Sequence, residues 1–258
     1  MRLLPRYAAS LAGLALLAVL LAACGGGDEN EPSQTGTPAS SAIASPTAAA
    51  TAEDLSQAEA LLKAAALQLE DLPSGFTLDV DEEKFTTNEE AAEEGAPDDP
   101  TLEDLNRWGR ILGYEVRYSR EVSLGTLLGG TAFLGVSTAV YRDSAGARDA
   151  FEFTRQRTSD PEFAKTFEAS AAGEVRDASI SPMSFAEVGE DRIAFEMKFT
   201  MHNPDLNTDF DYVTQMVAVR RDRGIGSITV LAVTSPSPVD ELEELARKLD
   251  ERMKDALE

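Results

Sequence analysis

Residues 193–201, with the sequence IAFEMKFTM, carry the clearest structural signal in the chain. Every second residue of this stretch is large and apolar: Ile193, Phe195, Met197, Phe199 and Met201. Successive side chains of a β-strand point to opposite faces, so the alternation predicts a strand with one face in a core. The fold is therefore expected to be built on a sheet.

Two more strands and a helix follow this stretch. Tyr212–Arg221 and Ile225–Thr234 flank Asp222-Arg223-Gly224, a turn sequence that favours a β-hairpin. Pro236–Leu257 is predicted to be helical, because apolar residues recur there at spacings of three and four. The stripe comprises Val239, Leu242, Leu245, Ala246, Leu249 and Met253.

A similar block precedes residue 193. Tyr114–Leu124 and Thr131–Arg142 alternate apolar and polar residues on either side of the glycine-rich turn 125–130, which predicts a second hairpin. Asp143 or Ser144 is expected to cap a helix over Ala145–Arg157. Further elements are a helical turn over Pro161–Ala169 and a strand over Glu174–Ile180.

The first part of the domain is predicted to contain both helices and a strand. Glu53–Leu69 has helical spacing, Phe76–Val80 alternates like a strand, and residues 102–112 follow Asp98–Thr101 as a short helix that buries Trp108. Most strands are joined by hairpins. The prediction is therefore an α+β fold over residues 53–258: one domain, mainly antiparallel sheet, with N-terminal and C-terminal helices packed on it.

The N-terminus has a different character. Arg2 and Arg6 precede the apolar run Ala8–Ala23, which ends in Leu21-Ala22-Ala23-Cys24 at the sole cysteine of the chain. This ending resembles the lipobox of bacterial lipoprotein signal peptides. The resemblance implies cleavage of residues 1–23, acylation of Cys24 with palmitate-type chains, and attachment to the extracytoplasmic face of a cell membrane. An uncleaved anchor helix is the alternative.

Residues 24–52 are predicted to be a disordered, lipidated tether. Gly, Ser, Thr, Ala and Pro dominate this segment, and Ile43 is its only large aliphatic residue. Such a composition buries too little apolar surface to offset the entropy of ordering. As a flexible coil, the tether would span about 30 Å on average.

Composition excludes several classes of function. The net charge is −23, with 46 acidic and 23 basic residues, so nucleic acid and anionic membrane surfaces are poor partners. One cysteine and one histidine, His202, leave no intrachain disulfide and no zinc site of the usual kind. No cofactor is predicted.

Two acidic segments raise the question of calcium binding. Residues 81–100 hold nine acids against Lys84, and Asp205, Asn207, Asp209 and Asp211 alternate. The first segment lacks the oxygen spacing of a calcium loop, and the second has Phe210 and Met216 where a loop glycine and a bidentate glutamate belong. A solvated, mobile excursion and a hairpin loop are the preferred interpretations.

The sequence gives no sign of an enzyme. His202 precedes Asn203-Pro204, which is typical of a loop residue, and no Gly-x-Ser-x-Gly nucleophile elbow is present. The glycine-rich turn also lacks the Gly-Lys-Ser/Thr ending of a phosphate loop. We therefore predict a protein without catalytic residues.

A broader resemblance covers about half of residues 53–258. Residues 189–195, 217–221, 223–224, 228–233 and the closing helix look like the C-terminal half of secreted actinobacterial sensor-type domains, among them a mycobacterial kinase ectodomain and related lipoproteins. Residues 138–151 resemble their middle segment, and the PsbP/Mog1 superfamily is a neighbouring architecture. The resemblance implies a ligand-binding or protein-binding role in the cell envelope and assigns no functional residue.

Two functions are favoured, and an enzyme or metal-dependent module remains the third alternative. The first is a sensor-like module that binds a small apolar or amphipathic molecule in a concave pocket, bordered by Leu127, Leu128 and Trp108. The second is a docking module for another envelope protein, which needs a flat exposed apolar patch.

Overall fold

The computed structural model describes residues 52–96, 99–120, 131–171, 175–203, 208–233 and 236–258. Its strands are β1 (Phe76–Thr86), β2 (Arg110–Arg120), β3 (Thr131–Tyr141), β4 (Val175–Pro182), β5 (Asp191–Asn203), β6 (Thr208–Arg221) and β7 (Gly224–Val233). They form one sheet in the order β1-β2-β3-β7-β6-β5-β4, and each neighbouring pair is antiparallel. Two meanders therefore meet where β3 pairs with β7.

The helices of the described ranges lie on both faces of this sheet. They are α1 (Ala52–Ala65), α2 (Asn88–Glu93), α3 (Leu102–Arg107), α4 (Ser144–Thr158), α5 (Phe163–Ser170) and α6 (Val239–Leu257), with a 3-10 turn at Leu69–Asp71. The predicted α+β fold with N-terminal and C-terminal helices on an antiparallel sheet is confirmed. Within the described ranges, no helix combines the length and apolarity needed to cross a membrane.

One face of the sheet packs against α1 and α6. Leu62 of α1 and Leu249 of α6 are almost fully buried against Val136 and Ile228 of the two central strands. Gly226 of β7 permits this close approach, because a Cβ there would lie 2.7 Å from Met253 Sδ. The predicted stripe of α6 is buried from Leu242 to Met253, whereas Val239 at its first turn is 38% exposed.

The other face carries α4 over β3, β7 and β6, and α5 over β4. Phe195, Met197 and Phe199 of β5 pack there with Phe151 of α4 and Phe167 of α5. The strand predicted over 193–201 is therefore confirmed, together with the face that it buries. On this same face, Leu105, Trp108 and Tyr141 pack against the first half of α4 through Ala147 and Ala150.

The acidic stretch departs from its prediction as a mobile excursion. Residues 81–86 extend β1, and residues 88–93 form α2. Thr87 caps α2 by accepting a hydrogen bond from Glu90 N, while the Glu90 carboxylate accepts one from Thr87 N. Asp99 is buried and pairs with Arg157 of α4. These charges serve the fold, so the excursion prediction was wrong for residues 81–94.

The helix predicted over residues 102–112 is also shorter. It ends at Arg107, and Gly109 adopts a φ of +70° that reverses the chain. Ile111 and Leu112 belong to β2, which begins at Arg110 and not at Tyr114. Similarly, α1 ends at Ala65 and only residues 69–71 add a 3-10 turn. Both predicted hairpins, β2–β3 and β6–β7, are confirmed.

Candidate functional site

A cleft of about 450 Å³ lies between the α4–α5 connection and the strands β4 and β5. Ile180, Pro182, Ile193 and Phe195 form its apolar floor. Phe195 and Pro182 are cross-strand partners on one face of the sheet, which places the floor directly beneath the end of α4. The volume falls within the range of small-molecule pockets, about 300–1,000 Å³.

Two arginines border the cleft. Arg155 Nη2 donates to Asp191 Oδ1 at 3.0 Å, and Arg192 Nη1 lies 2.5 Å from Glu187 Oε2. The Glu187 side chain is 90% exposed, so solvent screens its pair with Arg192 and the net stabilisation is small. The guanidinium of Arg192 does not face the cleft, however. Arg192 is the cross-strand partner of Val219 on the α1–α6 face, and its Nε donates to Phe185 O at 3.2 Å, so Arg155 supplies the positive charge at the rim. Apolar floor and cationic rim together suit an amphipathic molecule.

The turn that leads into β5 holds Arg155 and its surroundings in place. Arg220 is buried and donates to Glu190 Oε2 at 2.7 Å and to Asp191 Oδ2 at 3.1 Å. Gly189 adopts a φ of +71°, which brings these carboxylates back over β6. The segment 189–192 is therefore a structural ion network beside the cleft.

A second, smaller cavity opens over the central strands on the same face of the sheet. Its volume is about 50 Å³. Trp108, Leu105 and Ile225 form its apolar wall, and Arg110, Glu115, Ser137 and Tyr141 bring polar groups to it. Since about 10–15 Å³ admits one water molecule, it holds a few waters or a very small ligand.

Arg110 is the most unusual residue of this cavity. Its Nη1 donates to Thr86 O at 3.1 Å, Thr87 O at 3.2 Å and Asn88 Oδ1 at 3.0 Å, which ties β2 to the start of α2. Burial lowers the pKa of Arg110 despite the acids around it. The guanidinium lies over Gly113, where any Cβ would overlap Nη2. Gly113 lies inside β2, where an isolated glycine is typical of such a close approach, but the strand predicted from Tyr114 left it out.

Glu115 lies two residues beyond Gly113 on the same face of β2. Its side chain is 14% exposed and its nearest cationic partner is Lys84 Nζ at 3.9 Å. Burial is the main cause that raises the pKa of Glu115. Burial also raises the pKa of Tyr141 to about 12, so its phenol stays protonated and able to donate.

Of the three residues predicted to border a pocket, the structure describes Trp108. Trp108 is 7% exposed and belongs to the core, as predicted, and it lines the smaller cavity. Leu127 and Leu128 lie outside the described residues, as do Cys24, the signal segment 1–23 and most of the tether 24–52. The larger cleft was not predicted, because residues on α4, β4 and β5 come together only through the tertiary fold.

The structure also describes His202 and part of the acidic segment that raised the question of calcium binding. His202 lies in β5, not in a loop, and its Nδ1 is 2.7 Å from Asp209 Oδ1 of β6. Arg176 Nη2 lies 2.7 Å from the other oxygen of Asp209, and these two partners lower the Asp209 pKa. Among the described residues, no group of three or more His, Cys, Asp or Glu side chains is arranged to hold a metal ion.

Comparisons with known proteins found a likeness among solved structures. No family model matches the chain, and no curated protein matches it. Among solved structures, the extracellular domain of PknH from Mycobacterium tuberculosis is similar with a TM-score of 0.44 and 9% sequence identity. The match covers 77% of this chain and 97% of that domain.

Proposed function

We propose that this protein is a lipid-anchored envelope protein whose folded domain acts as a sensor-like module for a small amphipathic molecule. The observation that carries the proposal is the cleft of about 450 Å³ between the α4–α5 connection and β4–β5. Its apolar floor would take the hydrocarbon part of the ligand. Arg155 at the rim would take an anionic head group.

The lipobox-like ending at Cys24 supports the anchored location. Two or three acyl chains at one N-terminus hold a protein durably on a membrane, whereas one chain binds reversibly. The acidic surface favours no direct contact with anionic lipids, so the acyl chains and the tether would set the distance between domain and membrane. No catalytic step is part of the proposal.

Native mass spectrometry of the full chain, recovered from membranes of its source cell, tests this function. The expected result is a reproducible mass increase from a bound amphipathic molecule, which organic extraction then releases for identification. Repeated recovery of the chain without any bound molecule would contradict the proposal.

A docking function is the second candidate, and exposed apolar residues on the edge strand β1 favour it. Val80 is 69% exposed and Leu78 is 38% exposed, and both lie near the register shift between Asp79 and Lys84. An edge strand with exposed apolar side chains offers backbone and side-chain contacts to a partner. A photo-crosslinking residue at position 80 in the living cell would capture that partner, and a control at Ser179 of β4 would not.

A further inference from the structure

The smaller cavity is lined by two partly exposed charges of opposite sign that do not contact each other. Arg110 and Glu115 both line it, and within the described ranges no nitrogen of Arg110 comes within ion-pair distance of Glu115. Gly113, over which the guanidinium lies, is two residues from Glu115 along β2. That separation corresponds to about 7 Å at the rise of an extended strand.

Each charge also has unused bonding capacity. A guanidinium carries five N–H groups, and within the described ranges only Nη1 of Arg110 donates hydrogen bonds. Glu115 accepts no hydrogen bond from these residues and has only the 3.9 Å approach of Lys84. Neighbouring charges are occupied elsewhere, since Lys84 lies 2.5 Å from Glu94 and Arg117 lies 3.4 Å from Glu82.

Both side chains are partly shielded from solvent, and partial desolvation strengthens their hydrogen bonds to a charged partner. A molecule that carries both a negative and a positive group would bind Arg110 with the first and Glu115 with the second. The remaining walls are also mixed, with the hydroxyls of Ser137 and Tyr141 on one side and the rings of Trp108 and Tyr141 nearby. A volume of about 50 Å³ restricts the ligand to a very small one.

We infer that this cavity is a binding site for the zwitterionic form of a small amino acid. The carboxylate would accept hydrogen bonds from Nε and Nη2 of Arg110, and the ammonium group would donate to the Glu115 carboxylate. A small apolar side chain would face Trp108 and Ile225. This site is separate from the amphipathic cleft and does not depend on it.

The test uses the full chain in detergent and L-alanine as the probe, followed by ligand-observed saturation-transfer NMR. Propionate lacks the ammonium group of alanine and ethylamine lacks its carboxylate, so the two serve as single-charge controls. We expect saturable binding of L-alanine that is at least about tenfold tighter than that of either control, since charged hydrogen bonds contribute that much.

Variants link the signal to the cavity. Glu115→Gln preserves the shape and removes the charge, and it should weaken L-alanine binding about tenfold or more. Glu196→Gln is the matched control, because Glu196 is 16% exposed and pairs with Lys198 on β5. Arg110→Gln removes the other contact, although it also loosens the start of α2, so Glu115→Gln decides the question.

Three results would overturn the inference: L-alanine that does not saturate, propionate that binds as tightly as L-alanine, or a Glu115→Gln variant with unchanged affinity. Equal binding of propionate would identify a simple anion site. A cleft variant such as Pro182→Glu should leave L-alanine binding unchanged. Failure of this site is thereby distinguishable from failure of the amphipathic cleft.

Discussion

Arg221 of β6 and Asp250 of α6 form a two-point ion pair across the main core. Nε of Arg221 donates to Oδ1 at 2.9 Å and Nη2 donates to Oδ2 at 2.5 Å. The contact is mostly shielded, with the side chains 22% and 15% exposed, and it raises the pKa of Arg221. The pair therefore fixes the C-terminal helix to the strand that lies beneath it.

Asp250→Asn should lower the free energy of unfolding by about 1–2 kcal/mol, because it replaces two charge-assisted hydrogen bonds with weaker neutral ones. Urea unfolding followed by circular dichroism measures the change. Glu244→Gln is the control, since Glu244 pairs with Lys248 on the exposed side of the same helix. A smaller loss for Asp250→Asn than for Glu244→Gln would show that the two-point pair does not anchor α6.

Gly113→Ala should destabilise the domain by about 1–3 kcal/mol, the usual cost of forcing an extra group against a side chain that hydrogen bonds hold in place. The new methyl group would displace the guanidinium of Arg110. Gly135→Ala on the adjacent strand β3 is the control, because its nearest neighbour, Thr229 Cβ, is 3.9 Å away. It should change stability by less than about 0.5 kcal/mol. Equal effects of the two variants would contradict the placement of Arg110.

Much of the fold could be predicted from the sequence, and particular residues show which elements could not. The alternation from Ile193 to Met201 and the stripe of α6 reported burial directly. The prediction for the acidic segment was wrong, because its composition resembles that of a mobile loop. Thr87 and Glu90, three residues apart, form a capping box that the sequence does contain, so α2 was predictable from that spacing.

The candidate sites were far less accessible to sequence reasoning. The cleft combines Arg155 at the end of α4, Pro182 at the end of β4 and Phe195 within β5. Only the sheet order and the path of α4 bring these residues together. Gly113 was an indirect signal of Arg110, but the position of the guanidinium depends on its contacts with residues 86–88.

Glu115→Gln should also change the pH dependence of stability. Burial raises the Glu115 pKa and Glu94 adds to it, while Lys84, Arg110 and Arg117 oppose it. A raised pKa means that the folded state holds the proton more tightly than the unfolded chain. The resulting stabilisation is present below the ordinary pKa of 4.5 and is lost as the pH rises through the raised value.

The glutamine variant lacks this titration. Its stability relative to the wild type should therefore increase from about pH 4 to about pH 8, a range that brackets carboxylate titration. Urea unfolding at both pH values tests the sign. A relative stability that is constant, or that falls as the pH rises, would show that Glu115 is not a carboxyl group with a raised pKa.

Cys24→Ser should block lipidation and leave the unprocessed precursor, because serine has no thiol to acylate. Metabolic labelling with palmitate and gel mobility measure the two effects. Ser33→Cys combined with Cys24→Ser is the control that moves a thiol into the tether, and it should not restore labelling. If the Cys24→Ser protein is cleaved and located like the wild type, the anchor assignment is wrong.

Binding of an amphipathic molecule in the cleft is tested most directly by native mass spectrometry of matched β4 variants from the source cell. Pro182→Glu places a carboxylate on the cleft floor at an exposed position, whereas Ser179→Glu adds the same charge to the same strand outside the cleft. Surface changes of this kind alter stability by only about 0.5 kcal/mol. We predict a bound molecule on the wild type and on Ser179→Glu, and none on Pro182→Glu. Equal retention by all three proteins, or no bound molecule on any of them, would contradict the cleft as the functional site.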